Sequence, residues 1–385
     1  MAALKPKRSY VQAADFVRAM TITSVVAVHS TWYMANGGTW VSSGAALALL
    51  HYTRESFMAL TGFVLTLALF GKENRWFAVW GKRYKLVLFP YLIWSAAYIL
   101  LLKGGFQGWG PFFTTYGKDL LTGGAWFHLY YLLITMQFYL VLPLFLALMR
   151  VAKKHPWWVL AAATVFQMAL MTYDQYFTGT LWIPFIDRYI NNEFWTYTAY
   201  FVMGGVAAVH WPKVRAWLQT HMKTVLAWSA AAAAVMLAQF FVQTYAGHDM
   251  LVADSVIQPA MVPWAIMIIV LLAAIGVRYE RAREVSPNRW GVVKLLADLS
   301  FGIYLVHPML LQYFTNVLAQ FGWYYPSFWL DALTVALLVA ASAVLMMLIG
   351  LTPFSPWLIG RAARRRAKSP RVEPPAIPSQ QAQQL

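Results

Sequence analysis

Residues 14–34 read ADFVRAMTITSVVAVHSTWYM, and this stretch decides what kind of protein the chain is. A bilayer core about 30 Å thick is crossed by a helix of about 20 apolar residues, and the run is long enough. It is not wholly apolar, because it holds Arg18 and His29, with Asp15 at its start. The step from Arg18 to His29 is about 16 Å of helical rise and leaves the two within about 20° of one face. One helical stripe thus carries a cation near one membrane surface and an imidazole near mid-depth. Asp15 lies one turn before Arg18, in register for an i,i+3 ion pair.

Nine further runs follow, at 45–70, 85–102, 128–149, 157–174, 195–211, 223–244, 258–277, 297–319 and 328–350. The whole chain has 385 residues, of which 60% are hydrophobic and 17% aromatic. Only 11% are charged, against about 25% in an ordinary soluble domain. That excludes a conventional cytosolic enzyme. There is no cysteine, so disulfides and thiolate metal sites are excluded. The basic N-terminus lacks the short apolar segment and small-residue site of a cleaved signal, so the first run is read as retained.

The 30 basic residues and 14 acidic ones leave a net charge of +16. Such basicity can mean nucleic acid, but here it sorts by side. If the N-terminus is cytoplasmic, alternate loops carry Lys5, Lys7, Arg8; Lys72, Arg75, Lys82, Arg83, Lys85; and Arg150, Lys153, Lys154. The same side carries Lys213, Arg215, Lys223; Arg278, Arg281, Arg283, Arg289, Lys294; and the cations from Arg361 to Arg371. The opposite loops carry only Lys103, Lys118 and Arg188. The positive-inside rule therefore predicts an all-α, polytopic membrane protein of about ten transmembrane helices with both termini cytoplasmic. Trp and Tyr at span ends, such as Trp157, Trp158, Trp126, Trp211 and 323–325, suit interfacial belts. Residues 1–13 form a basic cytoplasmic start and 14–350 the transmembrane domain. Residues 351–385 are a basic, then Pro/Gln-rich tail expected to be disordered.

Ionisable groups inside a bilayer cost several kcal/mol, roughly 2.5–3.5 on insertion scales, so each is a functional candidate. The second run contains His51-Tyr-Thr-Arg54-Glu55-Ser56. Arg54 and Glu55 lie about 15 Å deep, near the level of His29, and point about 100° apart. The pair is equally open to reading as a structural salt bridge. The fourth run starts Trp126-Phe-His128-Leu-Tyr-Tyr, and the ninth holds Asp298, Ser300, Tyr304 and His307-Pro308. Pro308 interrupts the helical hydrogen-bond ladder and is expected to kink it. The histidines are scattered over different runs with no H-x-x-x-H spacing, which gives no support to a metal site.

Five segments in this order resemble the membrane acyltransferase-3 family of integral-membrane O-acyltransferases. They are Asp15-Phe-Val-Arg18 with His29, matching an R-x10-H motif, and Ser56-Phe-Met-Ala-Leu-Thr-Gly62-Phe-Val-Leu. Then come Lys82-Arg83-Tyr-Lys85-Leu-Val-Leu-Phe-Pro90-Tyr91, His128-Leu-Tyr-Tyr-Leu, and Ser300-Phe-Gly302-Ile-Tyr304-Leu-Val-His307-Pro308. Thr61-Gly62 stands where Ser-Gly is commoner, and Arg54-Glu55 is outside the broad family pattern.

The resemblance implies transfer of an acetyl or similar short acyl group from cytoplasmic acyl-CoA to a hydroxyl of a cell-envelope glycan or glycolipid. Acyl-CoA is then a co-substrate, with no bound cofactor, and the setting is the bacterial cytoplasmic membrane. Within it, His29 is the catalytic base, since an imidazole titrates near operating pH. Arg18, Lys82, Arg83 and Lys85 are expected to bind the phosphates of acyl-CoA. Glu55 or His307 would orient His29. Arg54, His128, Tyr304 and His307 are the candidates for contact with the acceptor or the developing oxyanion. Expected partners are the donor, the glycan or glycolipid acceptor and the lipid bilayer, not nucleic acid; the oligomeric state is open. The rival reading is a transporter or flippase of a glycan or lipid-linked sugar, since ten helices around a polar interior suit that class as well.

Overall fold

The computed structural model describes residues 10–34, 40–178, 190–286, 291–322 and 327–360. Lys5, Lys7, Arg8, Arg188, Arg289, the aromatic cluster at 323–325 and the tail from 361 onward lie outside the described residues. All regular structure among the described residues is helical.

Each of the ten apolar runs is occupied by helix, though not always by one. The first is α1, Gln12–Met34. The second divides into α2, Val41–Leu50, and α3, Thr53–Leu69, with His51 and Tyr52 at the break. Next is α4, Trp76–Leu101. The loop after it carries an unforeseen amphipathic helix, α5, Trp109–Thr122. The fourth run is α6, Tyr130–Leu140, and α7, Leu142–Lys154. Then come α8, Pro156–Phe177, and two 3₁₀ turns, Ile190–Asn192 and Phe194–Tyr197. The rest are α9, Thr198–Val209; α10, Trp211–Thr220; α11, Met222–Tyr245; α12, Met261–Val285; α13, Gly291–Gln320; and α14, Phe328–Ile349. A last turn, α15, is Ser355–Ile359. Five helices are long and apolar enough to cross a membrane by length and composition: α4, α11, α12, α13 and α14. The α6–α7 pair makes a sixth if it counts as one span.

The break in the fourth run has a specific cause. α6 and α7 meet at 65°, and Pro143 sits in the first turn of α7. Pro143 has no N–H to give to the carbonyl of Tyr139. That freed oxygen accepts instead from the indole N–H of Trp80 at 2.7 Å. The neighbouring Met136 carbonyl accepts from the Tyr84 hydroxyl at 2.8 Å. So α4 satisfies the backbone that α6 exposes at its bend, which apolar surroundings require.

α1 is the central post and packs against α2, α3, α12, α13 and α14. Buried hydroxyl pairs tie it to its neighbour: Thr21 to Ser56 at 2.7 Å and Ser24 to Tyr52 at 2.8 Å. Ends that the charge pattern assigns to one side also meet in space. Lys294 lies 3.7 Å from Asp15, and Arg215 lies 3.1 Å from Glu280. At the other end Lys103 pairs with Asp119 at 2.7 Å, and Ser30 and Thr31 both donate to Asp331. These are termed the Lys294 end and the Lys103 end below. The expected Asp15–Arg18 pair does not form, because Asp15 instead accepts the Tyr10 hydroxyl and faces Lys294 across to α13.

The closest backbone approach joins α3 to α9. A Cβ on Gly62 would stand 2.1 Å from the carbonyl oxygen of Phe201, and one on Gly204 would stand 1.9 Å from that of Ala59. Small residues are what allow helices to touch in this way where lipid removes the hydrophobic drive to associate. Gly204→Val is therefore expected to force α3 and α9 apart and to cost about 1–3 kcal/mol, the usual range for overpacking. Thermal unfolding in detergent checks this. Gly81→Ala, where an added Cβ meets nothing within 4 Å, should leave the midpoint unchanged or slightly raised.

Candidate functional site

Three cavities run in series through the bundle. The first, about 230 Å³, lies toward the Lys294 end and is lined by Arg18, Ser300 and Tyr139 among others. It shares Phe57, Tyr131 and Tyr304 with a middle cavity of about 210 Å³. The middle cavity is lined by His29, His51, Arg54, His128 and Tyr130. It shares Val28, His29, His51 and Phe127 with a third cavity of about 480 Å³ at the Lys103 end. Trp32, Tyr33, Trp126 and Lys103 complete that last wall. His29 thus stands where the middle and Lys103-end cavities meet, and Arg18 stands one cavity away, as the stripe on α1 requires.

The imidazoles gather around that junction. The rings of His29 and His307 lie 5.3 Å apart and are nearly parallel, at 23°. Phe127 packs against His29 at 4.7 Å. His128 lies 5.8 Å from His307 and 5.1 Å from Tyr304. His307 is fully buried on α13. Its Nδ1 lies 3.0 Å from the carbonyl oxygen of Ile303, which can only accept, so Nδ1 carries the proton. The Nε2 lone pair is left without a hydrogen-bond partner among the described residues. Pro308 supplies no N–H to the preceding turn. The Leu305 carbonyl in that turn accepts the Tyr98 hydroxyl at 2.8 Å. The helix nevertheless continues through Pro308 as one element. His128, in the turn before α6, is 3% exposed, and both its ring nitrogens lack partners among the described residues. The Tyr304 hydroxyl donates to its backbone carbonyl. An interfacial, solvated histidine is therefore not what this position holds.

Arg54 forms one wall of the middle cavity. Its Nη1 donates to the Tyr130 hydroxyl at 2.5 Å and to the Tyr197 hydroxyl at 3.2 Å. Both rings also sit under the guanidinium, with centroids 5.8 and 5.7 Å from its carbon. The Tyr197 hydroxyl donates its own hydrogen bond to the carbonyl of Asn191 at 3.1 Å. Arg54 makes no salt bridge with Glu55. Consecutive helix positions point about 100° apart, and Glu55 is turned out of the cavities. Its two carboxylate oxygens are buried without a hydrogen-bond partner among the described residues, and its electrostatic neighbours are Arg54, Tyr197 and Tyr200. Glu55 is not brought to His29; His307 is.

Of the basic set at the start of α4, Lys82 and Lys85 are exposed and Arg83 is half-buried. None of the three lines one of these three cavities, although the charge of Arg83 reaches Tyr139, on the wall of the Arg18 cavity. No group of three or more His, Asp or Glu suited to a metal occurs among the described residues.

Two features of the site carried no assignment from the sequence. One is His51, which lines both the middle and the Lys103-end cavities. It lies in the break just before the helix of Arg54, and both side chains line the middle cavity. The other is the tyrosine cradle of Arg54. Tyr197 is distant in sequence, and nothing in the chain pattern pairs it with Arg54.

A family model described as an acyltransferase domain, acyltransferase-3, matches residues 11–351. That span takes in all three cavities. No curated protein and no solved structure matches the chain.

Asp254, in the turn before α12, offers a test of how the site is held. Its carbonyl oxygen lies 2.8 Å from Nδ1 of His51. Its own carboxyl is pushed up to about 7, first by burial and then by the neighbouring Asp249. The folded protein keeps a proton that the unfolded chain releases near the ordinary value of 3.8. This group's contribution to stability therefore falls as pH rises through the window between those values. The thermal midpoint of the wild-type protein should drop relative to Asp254→Asn between pH 5 and pH 8. A difference constant across that range would contradict the burial of the carboxyl.

Proposed function

The chain belongs to the acyltransferase-3 family, and on that premise we propose that it moves a short acyl group from acyl-CoA to a hydroxyl of a cell-envelope glycan or glycolipid. The donor enters from the Lys294 end, the cytoplasmic one in a bacterial inner membrane, and the acceptor from the Lys103 end. The observation that carries this reading is the series of cavities with His29 between them. A reaction that joins substrates from two faces needs its base at their meeting point, within hydrogen-bond reach of the acceptor proton.

The basic Lys294 end, with Lys82, Arg83 and Lys85, attracts the donor's phosphates. Arg18 meets its polar portion at the mouth of the first cavity. The thin pantetheine arm follows the α1 stripe to His29. There His29 takes the proton from the acceptor hydroxyl, and the oxygen attacks the thioester carbonyl. The C–S bond breaks, and the imidazolium returns its proton to the departing thiolate. His307, ring beside ring with His29, holds it in place, the role for which Glu55 was the other candidate. Arg54 is positioned to meet the negative charge that develops on the carbonyl oxygen, with its guanidinium fixed by Tyr130 and Tyr197 before the reaction starts. Tyr304 and His128 line the same cavity.

Purified protein supplied with radiolabelled acetyl-CoA and an envelope glycan or glycolipid extract should yield labelled acceptor. His29→Ala should abolish transfer while the protein stays folded, and retained transfer would refute the assignment. Arg18→Ala should raise the KM for the donor about tenfold, the scale of one lost charge-assisted contact, with a smaller effect on kcat. The line of cavities is also what a flippase would need. Such a protein would leave the thioester intact and move a lipid-linked sugar across sealed vesicles.

A further inference from the structure

His51 is the one imidazole at the junction that neither the motif nor the mechanism above uses, and its setting is unlike that of the other three. It sits at the break between α2 and α3, where its backbone N–H closes the last turn of α2 on Leu47. The side chain faces two cavities at once, the middle one and the one at the Lys103 end, and His29 faces the same two.

Its orientation is fixed by a partner that can only accept. Nδ1 lies 2.8 Å from the carbonyl oxygen of Asp254, so Nδ1 carries the ring proton and Nε2 carries the lone pair. Among the described residues this is the ring's one hydrogen bond, and the ring lines both cavities. The backbone anchor itself is held, because Asp254 caps the single turn Met250–Ala253, and its own N–H bonds the Met250 carbonyl at 2.9 Å. An imidazole pinned at one nitrogen, with the other left as an acceptor at the mouth of a cavity, is arranged to receive a hydroxyl.

We propose that His51 is an acceptor-side substrate-binding residue, whose Nε2 accepts a hydrogen bond from a hydroxyl of the incoming polyol and so presents that molecule to His29. This rests on the acyl-transfer reading above. The path supports it, since a molecule entering from the Lys103 end meets the walls of Trp32, Tyr33 and Trp126 and then reaches His51 and His29 together. Arg18 lies in a different cavity from His51, so the donor's phosphate-bearing portion does not reach His51. The two imidazoles divide the work. His29 serves both substrates, whereas His51 serves the acceptor alone.

The test separates those roles with His51→Asn, His51→Ala and His29→Ala. The asparagine variant keeps a side-chain N–H for the Asp254 carbonyl but places no acceptor where Nε2 stood. Two readouts are compared. One is the acyl mass on envelope glycans of cells that carry each variant in place of the wild type, by mass spectrometry. The other is slow thiol release from acetyl-CoA into water by the purified, detergent-solubilised protein, which needs the donor and His29 but no glycan. His51→Asn and His51→Ala should lower glycan acylation by about tenfold or more, the scale of one lost hydrogen bond at a reacting group. Thiol release and the thermal midpoint of His51→Asn should stay within twofold and unchanged, respectively. His29→Ala should lose both readouts. Glycan acylation of His51→Asn within twofold of wild type overturns the proposal, and so does a parallel loss of thiol release, which would put His51 on the donor side. If the wild-type protein shows neither readout, the acyl-transfer reading fails and this inference fails with it. That result is distinct from a wild type that is active alongside an unaffected His51 variant.

Discussion

The guanidinium of Arg54, held between the hydroxyls of Tyr130 and Tyr197, is the interaction on which the interior depends. A charge inside an apolar bundle persists only where the protein supplies its partners. Here those partners come from three elements. Arg54 stands on α3, Tyr130 starts α6, and Tyr197 closes the 3₁₀ turn ahead of α9. They converge because Gly62 and Gly204 let α3 and α9 come into backbone contact. The glycine contact and the buried cation are thus two parts of one device, in which close approach of the helices delivers the hydroxyls that the charge requires.

The same logic governs the other irregularities. Where α6 bends at Pro143, a carbonyl loses its donor and Trp80 supplies one. Where the second run breaks at His51, the ring finds the Asp254 carbonyl. Ser30 and Thr31, the two residues after His29, both donate to Asp331 on α14. That fixes the rotation of α1 just beyond the imidazole and keeps His29 turned toward the cavities. These contacts join side chains to groups of other elements, and His51 and Tyr139 among them border the cavities. Non-helical backbone at depth is tolerated where it is buried in protein or lines a cavity.

Much of the site was legible in the chain, because helical periodicity is a local rule. Arg18 and His29 share a stripe by counting alone. His128, Tyr304 and His307 could be singled out as polar groups in apolar runs, and the structure brings them to one place. Of the two candidates for orienting His29, His307 lies beside it and Glu55 does not, because spacing along one helix does not say which of two faces turns inward. The Asp15–Arg18 pair was misjudged for a related reason: i,i+3 spacing permits a contact, but Asp15 instead accepts the Tyr10 hydroxyl and faces Lys294 of another helix. His51 drew no role because a histidine near a helix break has no signature until the break itself is seen.

The sequence by itself determined that this is a helical, multi-pass membrane protein, and it supplied the ordered motifs of the acyltransferase-3 family. Those properties follow from composition, run length and spacing, which are additive along the chain. Only the tertiary structure decided that His307 rather than Glu55 stands by His29, that tyrosines cradle Arg54, and that three cavities meet end to end. Such arrangements depend on the rotation and crossing of helices far apart in sequence. Those rotations are set by a few close contacts, Gly204 against Ala59 foremost, that no periodicity within one helix encodes.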